Sequence, residues 1–307
     1  MSVLALFPGQ GSQTVGMGKD FFENSEVAKE IFNLADNTLG FKISKLCLEG
    51  PIEELTLTQN AQPAILLIST ISFNLAKVKV TAAAGHSLGE YSALVAAGCL
   101  KFEDAIELVH KRGKYMQEAV APGAGKMVAV MGPSEEEIRE VIKTCEKGVV
   151  EIANLNSPGQ TVVAGDVIGI DAFTPAIQAK GGKVIPLNVS APFHCSLMKP
   201  AADKLAKDLD AINLNNLQFS VYSNVTAKEI SSPEEAKDLL KRQVCSSVRW
   251  TESMLNSIKE KQLTHSVEFG SGGVLTKLLK RISPEVNRLE ASDFALANEM
   301  AKKLNQI

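Results

Sequence analysis

KMVAVM (Lys126–Met131), SEEEIREVIKT (Ser134–Thr144), VVEIAN (Val149–Asn154), QTVVA (Gln160–Ala164), DAFTPAIQA (Asp171–Ala179) and KVIPL (Lys183–Leu187) follow one another in the middle of the chain. The first, third, fourth and sixth are short and rich in β-branched residues, and read as strands. The second reads as a helix, with Ser134 and Glu137 at capping-box spacing. Asn156-Ser157-Pro158-Gly159 supplies a turn between the two middle strands, and Gly181-Gly182 stops the second helix. The order is strand–helix–strand–strand–helix–strand, that of a ferredoxin-like unit. Pro175 sits inside the second helix, where it removes a backbone donor, and predicts a kink or a late start there.

Outward from this stretch the character changes. Pro122-Gly123-Ala124-Gly125 marks its beginning. Upstream, Val3–Phe7 reads as a buried strand. Phe21–Leu39 reads as helical, and so does Pro63–Val78, with Pro63 in a first-turn position. Val78–Ala84 reads as a short strand, Leu88–Ala97 as a helix ending at Gly98, and Asp104–Ala119 as a strongly periodic helix. Beyond Pro192 the helix signals resume at Asp203–Ala211, Glu234–Gln243 and Val274–Arg281. Phe219–Tyr222 and Ser266–Phe269 read as strands. The expected organisation is a larger α/β part, residues 1–124 and 191–307, interrupted by a small ferredoxin-like part, 125–190.

The chain has 307 residues, 45% hydrophobic and 22% charged, which is ordinary globular usage and excludes disorder. A net charge of −3 argues against a general nucleic-acid or polybasic membrane binder. The five cysteines are odd in number and widely spaced, with no CxxC, so neither a disulfide framework nor a zinc site is expected, and a reducing cytoplasm is the natural home. The N-terminus MSVLALFPGQG has no basic lead and breaks at Pro8-Gly9, so it reads as a strand and not as a signal peptide. The apolar run Ala64–Ile68 is far shorter than the ~20 residues of a membrane span.

Gly85-His86-Ser87-Leu88-Gly89 matches G-x-S-x-G, with a strand before it and a helix after it. In a nucleophile elbow the serine occupies that turn, and the glycines let neighbouring backbone pass closely. A bland alternative is a glycine turn with a capping serine. A serine hydroxyl needs a base. Among the four histidines, His86 adjoins Ser87 and diverges from it, His110 falls near the polar side of its helix, and His265 lies in a polar stretch. His194, after Ser190-Ala191-Pro192-Phe193, is the best candidate. No acidic residue stands out as a third member, so a Ser–His dyad with a backbone orienter is as good a reading as a triad. At about 100° per residue, Arg112 lies within about 20° of Ala105, in the middle of the apolar stripe of its helix. A guanidinium there needs an anion. An internal carboxylate partner or snorkelling past the stripe on one side, and a ligand carboxylate gripped by the bidentate fork on the other, fit equally well.

LFPGQGSQ (Leu6–Gln13), GHSLGE (Gly85–Glu90), KRGKYMQ (Lys111–Gln117), ANLNSPGQ (Ala153–Gln160), APFHCSLM (Ala191–Met198) and RQVCSSVRW (Arg242–Trp250) together resemble the malonyl-CoA:acyl carrier protein transacylases, in order and over nearly the whole chain. The resemblance implies an α/β-hydrolase-like large subdomain with a ferredoxin-like insert. It implies Ser87 as the acylated nucleophile, His194 as the general base and Arg112 as the binder of the malonyl carboxylate. The backbone N–H groups of Gln10 and Leu88 resemble the oxyanion-hole pair, and Gln243 the residue whose backbone carbonyl orients the histidine. Phe193, immediately before the base, resembles the aromatic that accompanies malonyl selectivity; its alternative is plain loop packing. Malonyl-CoA and acyl carrier protein are the implied partners, in type II fatty-acid synthesis. No metal or resident cofactor is implied, since malonyl-CoA is a substrate. A serine hydrolase of the thioesterase or lipase kind is the rival reading. It accounts for G-x-S-x-G, but not for Arg112 in an apolar stripe.

Overall fold

The computed structural model describes residues 1–189 and 191–305. Ser190, at the head of the Ser190–Phe193 segment, and the last two residues of the 191–307 segment lie outside them. The chain runs β1 (Val3–Phe7), α1 (Lys19–Asn24), α2 (Glu26–Leu39), α3 (Ile43–Glu49), α4 (Ile52–Thr56), α5 (Thr58–Ala76), β2 (Ala82–Gly85), α6 (Leu88–Ala96), α7 (Phe102–Glu118), β3 (Gly125–Met131), α8 (Glu135–Lys143), β4 (Val150–Ser157), β5 (Gln160–Asp166), α9 (Val167–Ala179), β6 (Lys183–Pro186), α10 (Lys199–Ala211), β7 (Ser220–Tyr222), α11 (Pro233–Gln243), α12 (Trp250–Lys261), β8 (His265–Phe269), α13 (Val274–Ile282), β9 (Asn287–Ala291) and α14 (Phe294–Asn305).

Five of the strands form a parallel sheet in the order β7-β2-β1-β8-β9. A parallel sheet needs both faces covered, and β1 shows how the sequence meets that need. Val3, Ala5 and Phe7 join the core on one face, while Leu4 and Leu6 join a second cluster with Trp250, Met254, Leu275 and Leu279 from α12 and α13. The other four strands form an antiparallel sheet in the order β4-β5-β3-β6, the ferredoxin-like arrangement. Val128, Val130 and Val163 on one of its faces pack against Ile138, Ile170, Phe173 and Ile177 of α8 and α9. The opposite face, with Met127, Ala129, Val162 and Ala164, merges with the main core.

A seam stitches the small sheet to the rest. A register shift after Ile152 re-aims β4, and Asn154 bridges Val248 in parallel fashion. The Leu155 N–H donates to the Val248 carbonyl at 2.9 Å, and the Val248 N–H donates to the Ala153 carbonyl at 2.8 Å. Ser247 Oγ and Thr251 Oγ1 donate to the carbonyls of Ile152 and Leu155.

Several elements depart from expectation for local reasons. The first helical stretch is two helices, because Ser25 leaves the helix in an extended conformation and caps α2 through Ala28 N–H. Pro63 is not in a first turn. α5 begins at Thr58, and the carbonyl that Pro63 leaves without a helical donor, that of Gln59, is taken by His110 Nδ1 at 2.8 Å. α9 starts early rather than late. Asp166 caps it by accepting from Gly169 N–H, and it runs through Pro175 with Ile170, Phe173 and Ile177 buried. The Ser134–Glu137 capping box forms in full. Among the described residues no helix is long and apolar enough to cross a membrane.

Candidate active site

β2 ends at Gly85, and the chain turns into α6 through His86 and Ser87. The turn is tight because α6 passes directly over the end of β1. A Cβ at Gly89 would lie 1.9 Å from the Phe7 carbonyl oxygen, a distance only glycine permits. Ser87 absorbs the bend with φ 53 and ψ −106, a strained conformation for a residue with a side chain. Its N–H donates to Asn224 Oδ1 at 2.7 Å, and its carbonyl accepts from Gln243 Nε2 at 3.0 Å.

His194 arrives from the other direction, on the segment that leads out of the small sheet, also at positive φ (60). Its Nε2 lies 2.7 Å from Ser87 Oγ, and its Nδ1 lies 3.1 Å from the backbone carbonyl of Gln243. A carbonyl can only accept, so Nδ1 carries the proton and Nε2 is left free to take one from the serine. Burial, then the nearby Arg112 charge, pushes the His194 pKa down to about 3, so the ring is neutral at physiological pH. His86 turns away as expected, its Nε2 2.8 Å from Asn156 Oδ1 and its ring against Trp250.

Arg112 is 1% exposed, on the buried face of α7. Nη1 donates to Gln62 Oε1 at 2.8 Å. Nη2 donates to Gln243 Oε1 at 2.9 Å and to Ser87 Oγ at 3.2 Å, and the guanidinium carbon lies 5.3 Å from the Tyr91 ring centre. These partners are all neutral, and among the described residues no carboxylate is in salt-bridge contact with Arg112. Its Nε has no hydrogen-bond partner there either.

Ser87, His194 and Arg112 line a cavity of about 190 Å³, together with Gln10, Leu88 and Phe193. Among the described residues nothing accepts from the backbone N–H of Gln10 or Leu88. Phe193 is buried, its N–H directed at Met127 Sδ at 3.3 Å. All seven residues singled out in the sequence thus converge on one place.

The model of the acyl transferase domain family matches residues 5–305. The chain is 45% identical over 300 residues to a malonyl CoA-acyl carrier protein transacylase of Bacillus subtilis, covering 95% of this chain and 94% of that one. It belongs to the malonyl CoA-acyl carrier protein transacylase family. The solved transacylase of Coxiella burnetii superposes with a TM-score of 0.96 at 37% identity, covering 99% of this chain and 98% of that one. A malonyl-transacylase solved in complex with its type II PKS acyl-carrier protein superposes with a TM-score of 0.94 at 40% identity over the full length of both chains.

Three residues of this transacylase fold's central network, Gln62, Asn224 and Glu90, and the side chain of Gln243 were not singled out in the sequence. Gln62 holds Arg112, and Asn224 holds the Ser87 N–H. The Gln243 side chain binds Arg112, Ser87 and Glu90 at once. Glu90 is fully buried. Only Glu90 left a signal, as the one charged residue in the apolar helix LGEYSALVA.

Proposed function

We propose that this chain transfers a malonyl group from coenzyme A to the phosphopantetheine thiol of an acyl carrier protein, through a malonyl ester of Ser87, in cytoplasmic fatty-acid synthesis. The observation that carries the reading is the 2.7 Å contact between Ser87 Oγ and His194 Nε2, with the guanidinium of Arg112 3.2 Å from the same oxygen. A nucleophile, a base and a buried cation meet at one atom. An acyl group ending in a carboxylate has the charge and length to reach from the first to the third.

His194 takes the hydroxyl proton as Ser87 Oγ bonds to the thioester carbon. The unengaged N–H groups of Gln10 and Leu88 receive the oxyanion. The C–S bond breaks, His194 returns the proton to sulfur, and coenzyme A leaves as its thiol. The carrier's thiol then repeats the sequence on the malonyl ester. Arg112 ties basicity to substrate: its charge depresses the free His194, and a malonyl carboxylate on Arg112 offsets that charge and strengthens the base when it is needed. Phe193 narrows the space beside the reacting carbonyl. One methyl more on the acyl group is worth about 1–3 kcal/mol of discrimination there. A hydrolase reading leaves the buried Arg112 without work.

Intact mass after mixing with malonyl-CoA tests the proposal. One malonyl group is gained, it is discharged by carrier protein, and Ser87→Ala gains none. An adduct surviving in Ser87→Ala refutes the assignment. Arg112→Ala loses about 2–5 kcal/mol of transition-state binding for malonyl, because the ligand carboxylate is left buried and unpaired. Acetyl transfer falls much less. Equal losses for the two acyl groups rule out carboxylate recognition by Arg112.

A further inference from the structure

Glu90 sits one turn into α6, behind the nucleophile, and no step of the transfer uses it. Its Oε2 accepts from Gln243 Nε2 at 2.6 Å and from Asn224 N–H at 3.2 Å. Its Oε1 has no hydrogen-bond partner among the described residues. The Gln243 amide faces two ways, donating to Glu90 while its oxygen accepts from Arg112 Nη2 at 2.9 Å. A carboxylate and a guanidinium are therefore joined through one amide, whose dipole points the favourable way for both charges. Asn224 ties the same carboxylate to the elbow, because its Oδ1 holds the Ser87 N–H.

The groups facing Glu90 are few. Arg112 comes from α7, Tyr91 from its own helix, and His194 stands behind Gln243. Ser223, Asn224 and Gln243 are neutral. Among the described residues Arg112 is the one cation acting on Glu90, and Glu90 is the carboxylate whose charge acts on it.

We propose that Glu90 is the internal counter-ion of Arg112, relayed through the Gln243 amide, and that it takes up a proton at Oε1 when the malonyl carboxylate occupies Arg112. The inference rests on the transfer reading above and deepens it. Burial holds the Glu90 pKa up at about 7, against the pull of the Gln243 and Asn224 hydrogen bonds and of Arg112. A second carboxylate on Arg112 cancels part of that pull and adds a like charge nearby, so Glu90 binds a proton more tightly. Acyl transfer itself is proton-neutral, because the serine proton leaves on the sulfur of coenzyme A. Any net uptake from solvent is then the mark of Glu90. An acetyl group brings no charge and draws no proton.

The test is proton counting with a pH indicator in weak buffer at pH 7.5, divided by the adduct counted by intact mass. A group titrating at about 7 is about three-quarters ionised there, so roughly three-quarters of a proton is taken up per malonyl-serine formed. No uptake accompanies acetyl adducts. In Glu90→Gln the amide oxygen keeps both accepted hydrogen bonds and the NH2 replaces the unpartnered oxygen, so the malonyl adduct forms without uptake. The wild type gives an independent check. At pH 5.5 Glu90 is already protonated, and the uptake per malonyl adduct falls to near zero. Equal counts for the two acyl groups, uptake persisting in Glu90→Gln, or a count independent of pH each overturn the proposal. Failure of malonyl-CoA to give any serine adduct strikes the transfer reading instead.

Discussion

The chain leaves β2 for α6 through His86-Ser87, and leaves β8 for α13 through Gly270-Ser271-Gly272-Gly273, both at the carboxyl-terminal end of the same parallel sheet. Both turns carry backbone at positive φ and both contain a serine. In the second turn the unusual angles fall on glycines, at φ 126, 104 and 57, where they cost little. In the first turn the angle falls on Ser87 itself, and the surroundings hold it there. Asn224 takes its N–H, Gln243 its carbonyl, and His194 and Arg112 its hydroxyl. Among the described residues no histidine hydrogen-bonds Ser271. A serine in a sharp turn is common; a serine strained and gripped at every polar atom marks where chemistry is done.

Substitutions sharpen the contrast in a graded order. Gly89→Ala has the largest effect. A Cβ 1.9 Å from the Phe7 carbonyl oxygen forces β1 and α6 apart, so denaturant unfolding shows a loss of at least ~4 kcal/mol. A loss under about 1 kcal/mol removes the claim that helix–strand approach dictates the elbow. Gly272→Ala comes next. Its Cβ would meet nothing closer than Ser12 Cβ at 3.4 Å, so only the φ of 104 resists, and the loss is about 1–3 kcal/mol with the rate of Ser87 acylation unchanged. A fall in acylation beyond that stability change couples the two turns and breaks the comparison. Ser271→Ala is the smallest, within about 0.5 kcal/mol in stability and without effect on malonyl transfer.

The difference between these turns also explains what the sequence made legible. The elbow was readable because its glycines and serine are spaced as backbone contacts demand. The ferredoxin-like unit was readable because turn residues separate its elements and the capping box announces α8. The bounds of α5 were misplaced, because the donor missing at Pro63 is compensated by His110, about fifty residues away in sequence, and no local pattern shows that. α9 was misjudged because Asp166 caps it so well that Pro175 is tolerated. α3, α4, α12, β9 and α14 carry no clear local signal; β9 in particular is a short edge strand with a broken apolar alternation. At the site, Ser87 and His194 follow from chemistry, and the helical period put Arg112 on the buried face. Gln62, Asn224 and the Gln243 side chain are uncharged groups whose role exists only through distant partners.

The seam along Asn154, Leu155 and Val248 bears on how the cleft behaves as a mechanical object. Val248 lies five residues beyond Gln243, whose carbonyl anchors the base, and His194 itself lies eight residues beyond the end of β6. A hinge between the two sheets would therefore tear the base from its anchor. The active slot is built like a vice already closed to its working width. The expected signature is that amide hydrogens on both sides of the seam exchange as one cooperative block.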